Sequence, residues 1–275
     1  MLTVGYFQFA PVFGDIELNI KQVLAVLKHT NAEVIVLPEL PFTGYNFKDR
    51  NELAELAEEP EKSHVVEELI DLCKKKRFHI VTGFAEKAGD KIYNSALLLS
   101  HRGIKQVYRK LHLFGKEKKY FDAGDKAPEI CKAGKINIGM MVCYDWIFPE
   151  VARCLALQGA DLICHPSNLV LNLCQQTMIG RAIENGVYVI TANRHGKEKR
   201  AHGEISFTGQ SQIVNPRGEV LRKAPEKTNE LYVCQISEIQ SRNKNLTPSN
   251  NIFEDRRPEF YKSIVTIKNE RSINE

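Results

Sequence analysis

Short, wholly apolar segments recur along this chain, separated by segments patterned as helices. The plainest is Val34-Ile35-Val36-Leu37, which has no polar member and is stopped by Pro38. A strand that is apolar at every position must be buried on both faces, so it belongs inside a layered structure. Leu2–Phe9, His79–Ala85, Ser95–Leu99, Lys135–Val142, Asp161–Cys164 and Val187–Ala192 read as further strands, and Val107–Tyr108 closes another. Between them, Asp15 caps a helix with Ile16, Ile20, Val23, Leu24 and Leu27 at helical spacing. Ser63 caps a second helix with Val66, Leu69, Ile70 and Cys73 on one stripe. The run Lys74-Lys75-Lys76-Arg77 suits the end of that second helix, where cations meet the negative end of the dipole. Pro149–Leu157 and Gln175–Asn185 read as two more helices. This alternation predicts an α/β fold with buried sheets. Gln210–Val214 and Glu219–Leu221 flank the turn Asn215-Pro216-Arg217-Gly218, and Leu231–Ile236 is the last strand. Hairpins of this kind make the sheets mixed rather than purely parallel.

No linker, repeat or low-complexity tract divides the 275 residues. They are read as one domain, 1–240, followed by a polar tail, 241–275. A net charge of +4, with the charges interspersed, does not call for a nucleic-acid partner. No apolar run reaches the ~20 residues of a membrane span, and the N-terminus has no basic signal-peptide region. Seven cysteines without a Cys-x-x-Cys pair read as free thiols of a reducing cytoplasm. Cys154, Cys164 and Cys174 are read as core thiols. There is no His-x-x-x-His pair, Gly-x-Gly-x-x-Gly or P-loop, so no metal, nucleotide or other cofactor is expected.

Three strand ends carry chemistry. Cys143 follows Lys135–Val142 and precedes a helix, so its thiol can sit on a tight, exposed bend whose N–H groups favour the thiolate. The plain alternative is a free cysteine acting as a small buried hydrophobe. Glu39 directly follows a buried strand, where a carboxylate is unusual and where a raised pKa would make it a base. A turn carboxylate is the alternative. Lys110 ends Gln106-Val107-Tyr108-Arg109-Lys110 and could hold an oxyanion; a solvated lysine is the alternative. Glu117, in Gly115-Lys116-Glu117-Lys118-Lys119, reads alone as one acid in a charged loop. Together an acid/base, a cation and a thiol suit acyl transfer. A Cys–His arrangement with His165, His195 or His202 is a weaker competitor.

Pro38-Glu39, Tyr108-Arg109-Lys110-Leu111-His112-Leu113-Phe114, Gly124-Asp125 and Gly139-Met140-Met141-Val142-Cys143-Tyr144-Asp145-Trp146-Ile147-Phe148-Pro149-Glu150 resemble the nitrilase (carbon–nitrogen hydrolase) superfamily. So do His165-Pro166-Ser167-Asn168, Arg181-Ala182-Ile183-Glu184-Asn185, Ala192-Asn193-Arg194, Phe207-Thr208-Gly209-Gln210-Ser211 and Asp255-Arg256-Arg257-Pro258. The resemblance spans about residues 2–261.

It implies a four-layer αββα sandwich with mixed sheets that dimerises, the 241–275 tail packing at the dimer interface. Glu39 would be the general base and Cys143 the nucleophile. Lys110 and the backbone N–H of Tyr144 would hold the negative charge, and Glu117 would be a second, positioning glutamate. Tyr45 and Asn168 are candidates for lining the substrate pocket, against ordinary loop packing. The implied activity is hydrolysis of a small aliphatic amide or nitrile to a carboxylic acid and ammonia through a thioester. An N-carbamoyl amide hydrolase and a vestigial binding relative are the rivals.

Overall fold

The computed structural model describes residues 1–266. Residues 267–275 of the expected tail lie outside the described residues. Met1–Asn243 form one compact unit. It opens with β1 (Leu2–Gln8), α1 (Ile16–Leu27) and β2 (Val34–Val36). Asp15 caps α1 by accepting the Leu18 N–H, as its position before the apolar stripe predicts. Next come α2 (Arg50–Leu56) and α3 (His64–Lys76), the latter capped by Ser63 and ended by Arg77 in the left-handed conformation. The lysine run does occupy the last turn of α3. Strands β3 (His79–Ala88), β4 (Lys91–Ser100) and β5 (Gly103–Arg109) form an antiparallel meander.

The second half runs through α4 (Glu117–Tyr120), β6 (Ile130–Ala133), β7 (Ile136–Met140), α5 (Pro149–Leu157), β8 (Leu162–Ser167) and α6 (Cys174–Asn185). It ends with β9 (Tyr188–Asn193), the hairpin β10 (His195–Arg200) and β11 (Gly203–Thr208), then β12 (Gln212–Val214), β13 (Val220–Lys223), β14 (Glu230–Ile236) and α7 (Glu238–Arg242).

Two six-stranded sheets result, ordered β14-β1-β2-β3-β4-β5 and β13-β12-β9-β8-β7-β6. In each, three central strands run parallel and their flanks antiparallel, so the sheets are mixed as expected. The sheets pack face to face through β1, β2 and β3 against β8 and β9. Helices α1 and α3 cover the first sheet, seating Ile20, Val23, Leu27, Val65, Leu69 and Cys73 on Ile35, Leu37, Ile80 and Leu97. Helices α5 and α6 cover the second. The result is a layered αββα unit.

Within Met1–Asn243, α2, α4, β6, the β10–β11 hairpin and α7 escape the sequence reading. The strand expected at 161–164 extends to Ser167. Cys164 and Cys174 are core thiols, but Cys154 is exposed on α5, which corrects its assignment. The expected boundary at 240 falls inside α7. From Lys244 a separate unit begins, in which β15 (Asn245–Thr247) pairs with β16 (Asn250–Asn251).

Candidate active site

Glu39 lies three residues beyond β2 and is fully buried. The chain reaches it through Leu37, whose N–H donates to the Val81 carbonyl at 2.8 Å, and Pro38, whose carbonyl accepts from Gly83 at 3.0 Å. A Cβ at position 83 would come within 2.5 Å of Glu39 Cα, so only glycine lets β3 run this close. The next residue, Leu40, has φ of 45°, a left-handed conformation that branched and bulky residues rarely adopt.

The Glu39 carboxylate is held on one side only. Oε1 accepts from Asn94 Nδ2 at 2.7 Å and from Lys110 Nζ at 2.8 Å. Oε2 is buried with no hydrogen-bond partner among the described residues. A buried acceptor left bare is costly, and at a reactive centre it marks where a proton can be taken.

Lys110 follows β5 and is buried. Its ammonium bridges Glu39 and Glu117, both at 2.8 Å. Burial alone would lower its pKa, but the two carboxylates, Glu117 foremost, hold it well above the usual lysine range. It stays a cation. Glu117 opens α4 and is buried rather than solvated. It accepts from the Tyr45 hydroxyl at 2.6 Å and from the Phe114 N–H at 3.2 Å. Burial pushes its pKa up; Lys110 opposes this and Glu39 adds to it.

Cys143 begins a 3₁₀ turn, Cys143–Ile147, three residues beyond β7. The bend is tight, with φ of 43° at Cys143. The expectation of an exposed thiolate is corrected: the thiol is buried, and burial pushes its pKa well above the ordinary value. Glu39 and Glu117 push the same way, while Lys110 and the backbone N–H of Asn168 oppose them. A thiol in this setting gives up its proton only to a base.

Asp145 fastens the turn. It accepts from the Val142 N–H at 2.9 Å, the Tyr108 hydroxyl at 2.8 Å and the His112 N–H at 3.1 Å. Tyr108 and His112 flank Lys110 in the chain, so one carboxylate ties the thiol's turn to the lysine's segment. His165 meets the Cys143 carbonyl, not its sulfur, through Nε2 at 2.9 Å. His195 faces Asn229 and His202 faces Asn46, so none of the three forms a Cys–His pair.

Of the remaining expected residues, Tyr45 joins the cluster through Glu117. Tyr144 is half-buried, with its ring against Phe114 at 5.1 Å. Asn168 is buried just beyond β8, and both polar atoms of its amide lack partners among the described residues. Cys143 and Asn168 line a narrow pocket of about 20 Å³, room for roughly one water-sized group. Phe114 and Val170 border both this pocket and a larger cavity of about 410 Å³, walled by Tyr45, Phe47, Tyr120 and Phe121.

Sequence reasoning gave no separate role to Asn94 and Asp145 of this cluster, nor to Arg194 and Glu198, which the fold buries. Asn94 had a signal, as a polar residue inside the apolar run Ile92–Leu99. Glu198 had none: it stands between Lys197 and Lys199 like any solvated acid.

Residues 3–243 match the family model for carbon-nitrogen hydrolases. A nitrilase from Pyrococcus abyssi is 41% identical over 95% of this chain and 99% of its own. An N-carbamoylputrescine amidase from Arabidopsis thaliana is 31% identical over 97% and 96%. The crystal structure of a carbon-nitrogen hydrolase from Helicobacter pylori G27 superposes with a TM-score of 0.88 at 28% identity, covering 96% of this chain and 98% of that one. A match that runs from the first strand through the last helix of the main unit leaves one assignment: the chain belongs to the carbon–nitrogen hydrolase family.

Proposed function

We propose that Cys143 is the nucleophile, Glu39 the general base and Lys110 the oxyanion-binding cation in the hydrolysis of a small aliphatic amide or nitrile. The observation that carries this reading is the bare Oε2 of Glu39, a buried carboxylate whose charge reaches the Cys143 thiol and helps to raise its pKa. Oε2 takes the thiol proton as sulfur attacks the substrate carbon. The Lys110 ammonium and the Tyr144 N–H, which has no partner within its 3₁₀ turn, meet the charge that develops on the substrate. From an amide, ammonia then leaves with a proton from Glu39 and a thioester remains; a nitrile first gives a thioimidate, which must add one water before ammonia leaves and the same thioester forms. Glu39 then draws a proton from water, which releases the acid. Glu117 keeps Lys110 charged and in place.

The narrow pocket admits the reacting group, and the larger cavity takes the acyl chain. The orphaned amide of Asn168 supplies one donor and one acceptor to that reacting group. The plant N-carbamoylputrescine amidases among the relatives favour keeping a carbamoyl group as the second reading.

The test is ammonia release from a matched short amide, nitrile and N-carbamoyl amine. Wild type should release ammonia from one class, Cys143→Ala from none. Asn168→Leu should lose about 1–3 kcal/mol of kcat/KM, the cost of an unmet polar group. Substantial turnover by Cys143→Ala would refute the mechanism.

A homodimer is part of the same reading, with the polar tail packing at its interface. Ile147, Leu171, Leu173 and Ile183 are exposed on and beside α6, an apolar surface that suits a second copy. Sedimentation should give a dimer; a monomer at all concentrations would remove it. All seven cysteines are unpaired, which suits the cytoplasm, and alkylation of all seven without reductant is the check.

A further inference from the structure

We propose that the buried ion pair Arg194–Glu198 is a positioning device for the active site and acts through Tyr45. The inference rests on the reading of Lys110 and Glu117 given above. Neither member of the pair lines the substrate cavity. Both are almost wholly buried, with side-chain exposures of 1% and 2%. Taking two charges out of water is costly unless each is fully bonded, so the contacts of this pair deserve a reason.

The carboxylate holds the backbone of the loop that carries Tyr45. Glu198 Oε2 accepts the Asn46 N–H at 2.6 Å and the Tyr45 N–H at 3.1 Å. Oε1 meets Arg194 Nη1 and lies 3.2 Å from the same Tyr45 nitrogen. Two successive N–H groups therefore converge on one carboxylate. Gly44 makes this approach possible: its φ is 81°, and a Cβ there would lie 2.9 Å from Oε1.

The guanidinium holds the ring. Arg194 is pinned by the Pro11 carbonyl at 3.1 Å and lies 4.0 Å from the centroid of Phe207. Phe207 meets the Tyr45 ring edge-on, with centroids 5.9 Å apart and planes at 86°. The two halves of one ion pair thus fix Tyr45 at backbone and ring. Its hydroxyl is left one place to go, the 2.6 Å bond to Glu117. From Glu117 the contacts continue to Lys110 and Glu39 at 2.8 Å each. A displacement of about 1 Å in such a chain is enough to cost ~10²-fold in rate.

The test is a double-mutant cycle read on Cys143 itself. Iodoacetamide is a small amide whose methylene carbon a thiolate attacks with loss of iodide, while Glu39 takes the thiol proton. Its rate of addition at Cys143 is followed by peptide mass, with exposed Cys154 as the control in the same molecule. Glu198→Gln should slow Cys143 by about tenfold or more and leave Cys154 unchanged. The loss should largely disappear in a Tyr45→Phe background, because the hydroxyl being positioned is already gone. In turnover, kcat should fall while KM stays within about threefold, since Glu198 lies off the cavity.

Losses that multiply, an unchanged Cys143 rate in folded Glu198→Gln, or a rise in KM alone would overturn the proposal. If Glu198→Gln does not melt cooperatively, Phe207→Leu takes its place, keeping the ion pair and removing the ring contact. The same criteria then decide. Loss of the underlying reading would look different: wild-type Cys143 reacting at a rate that Glu39→Gln leaves untouched.

Discussion

One buried histidine shows how a single protonation state is built into this fold. His165 sits on β8 among the Cys143 carbonyl at 2.9 Å, the Thr191 hydroxyl at 3.2 Å and the Ser167 hydroxyl at 3.1 Å. A carbonyl only accepts, so Nε2 carries the proton and the ring is the neutral tautomer. Burial lowers the His165 pKa from 6.5 to about 4. Above the unfolded pKa both states are neutral and nothing is lost. As pH falls through 6.5 toward 4, the unfolded chain binds a proton that the folded one refuses. Stability then drops, by about 3 kcal/mol once pH is below the folded pKa. Urea midpoints should fall between pH 7 and pH 4.5, and His165→Asn should fall less over that range. Identical slopes would show that other groups set the acid limb. Glu39, Lys110 and Cys143 could be picked out of the sequence because each stands just past a strand and because their order fits one family pattern. Asp145, Arg194 and Glu198 were not, because their partners come from distant parts of the chain and a polar residue in sequence does not name its partner.

Among the elements, β3 does the most to place Glu39, the proposed base. Its Gly83 runs against the backbone of Pro38, Glu39 and Leu40, and all three close atoms are main chain, so no side chain can swing aside. Gly83→Ala should cost about 1–3 kcal/mol in stability, as overpacking does, and cut kcat/KM by more than that loss explains. Thermal melts and kinetics on the same preparation check it; wild-type turnover would mean that the loop after β2 yields. The elements legible beforehand were those with a cap and an apolar stripe, α1 and α3 above all. The hairpin β10–β11 was not. His-Gly-Lys-Glu-Lys-Arg carries no alternation of apolar residues, and its strand state comes from pairing with β11 and from the buried carboxylate of Glu198.

Across the main unit, the two sheets repeat one arrangement, three parallel strands with antiparallel flanks, although the sequence contains no repeat. That likeness lies in the hydrogen-bond ladders rather than in residue identities. It places strand C-terminal ends from both sheets at one seam, where sites of α/β proteins collect. Glu39 and Lys110 follow strands of the first sheet, while Cys143 and Asn168 follow strands of the second. The proposed chemistry therefore belongs to no single layer. A slip of one sheet against the other would part Cys143 from Glu39 while every ladder and helix stayed intact. Turnover should therefore serve as a strain gauge for the seam. In rising urea it should vanish before the far-ultraviolet dichroism changes, and coincident loss of the two signals would mean that the layers come apart only as the whole unit unfolds.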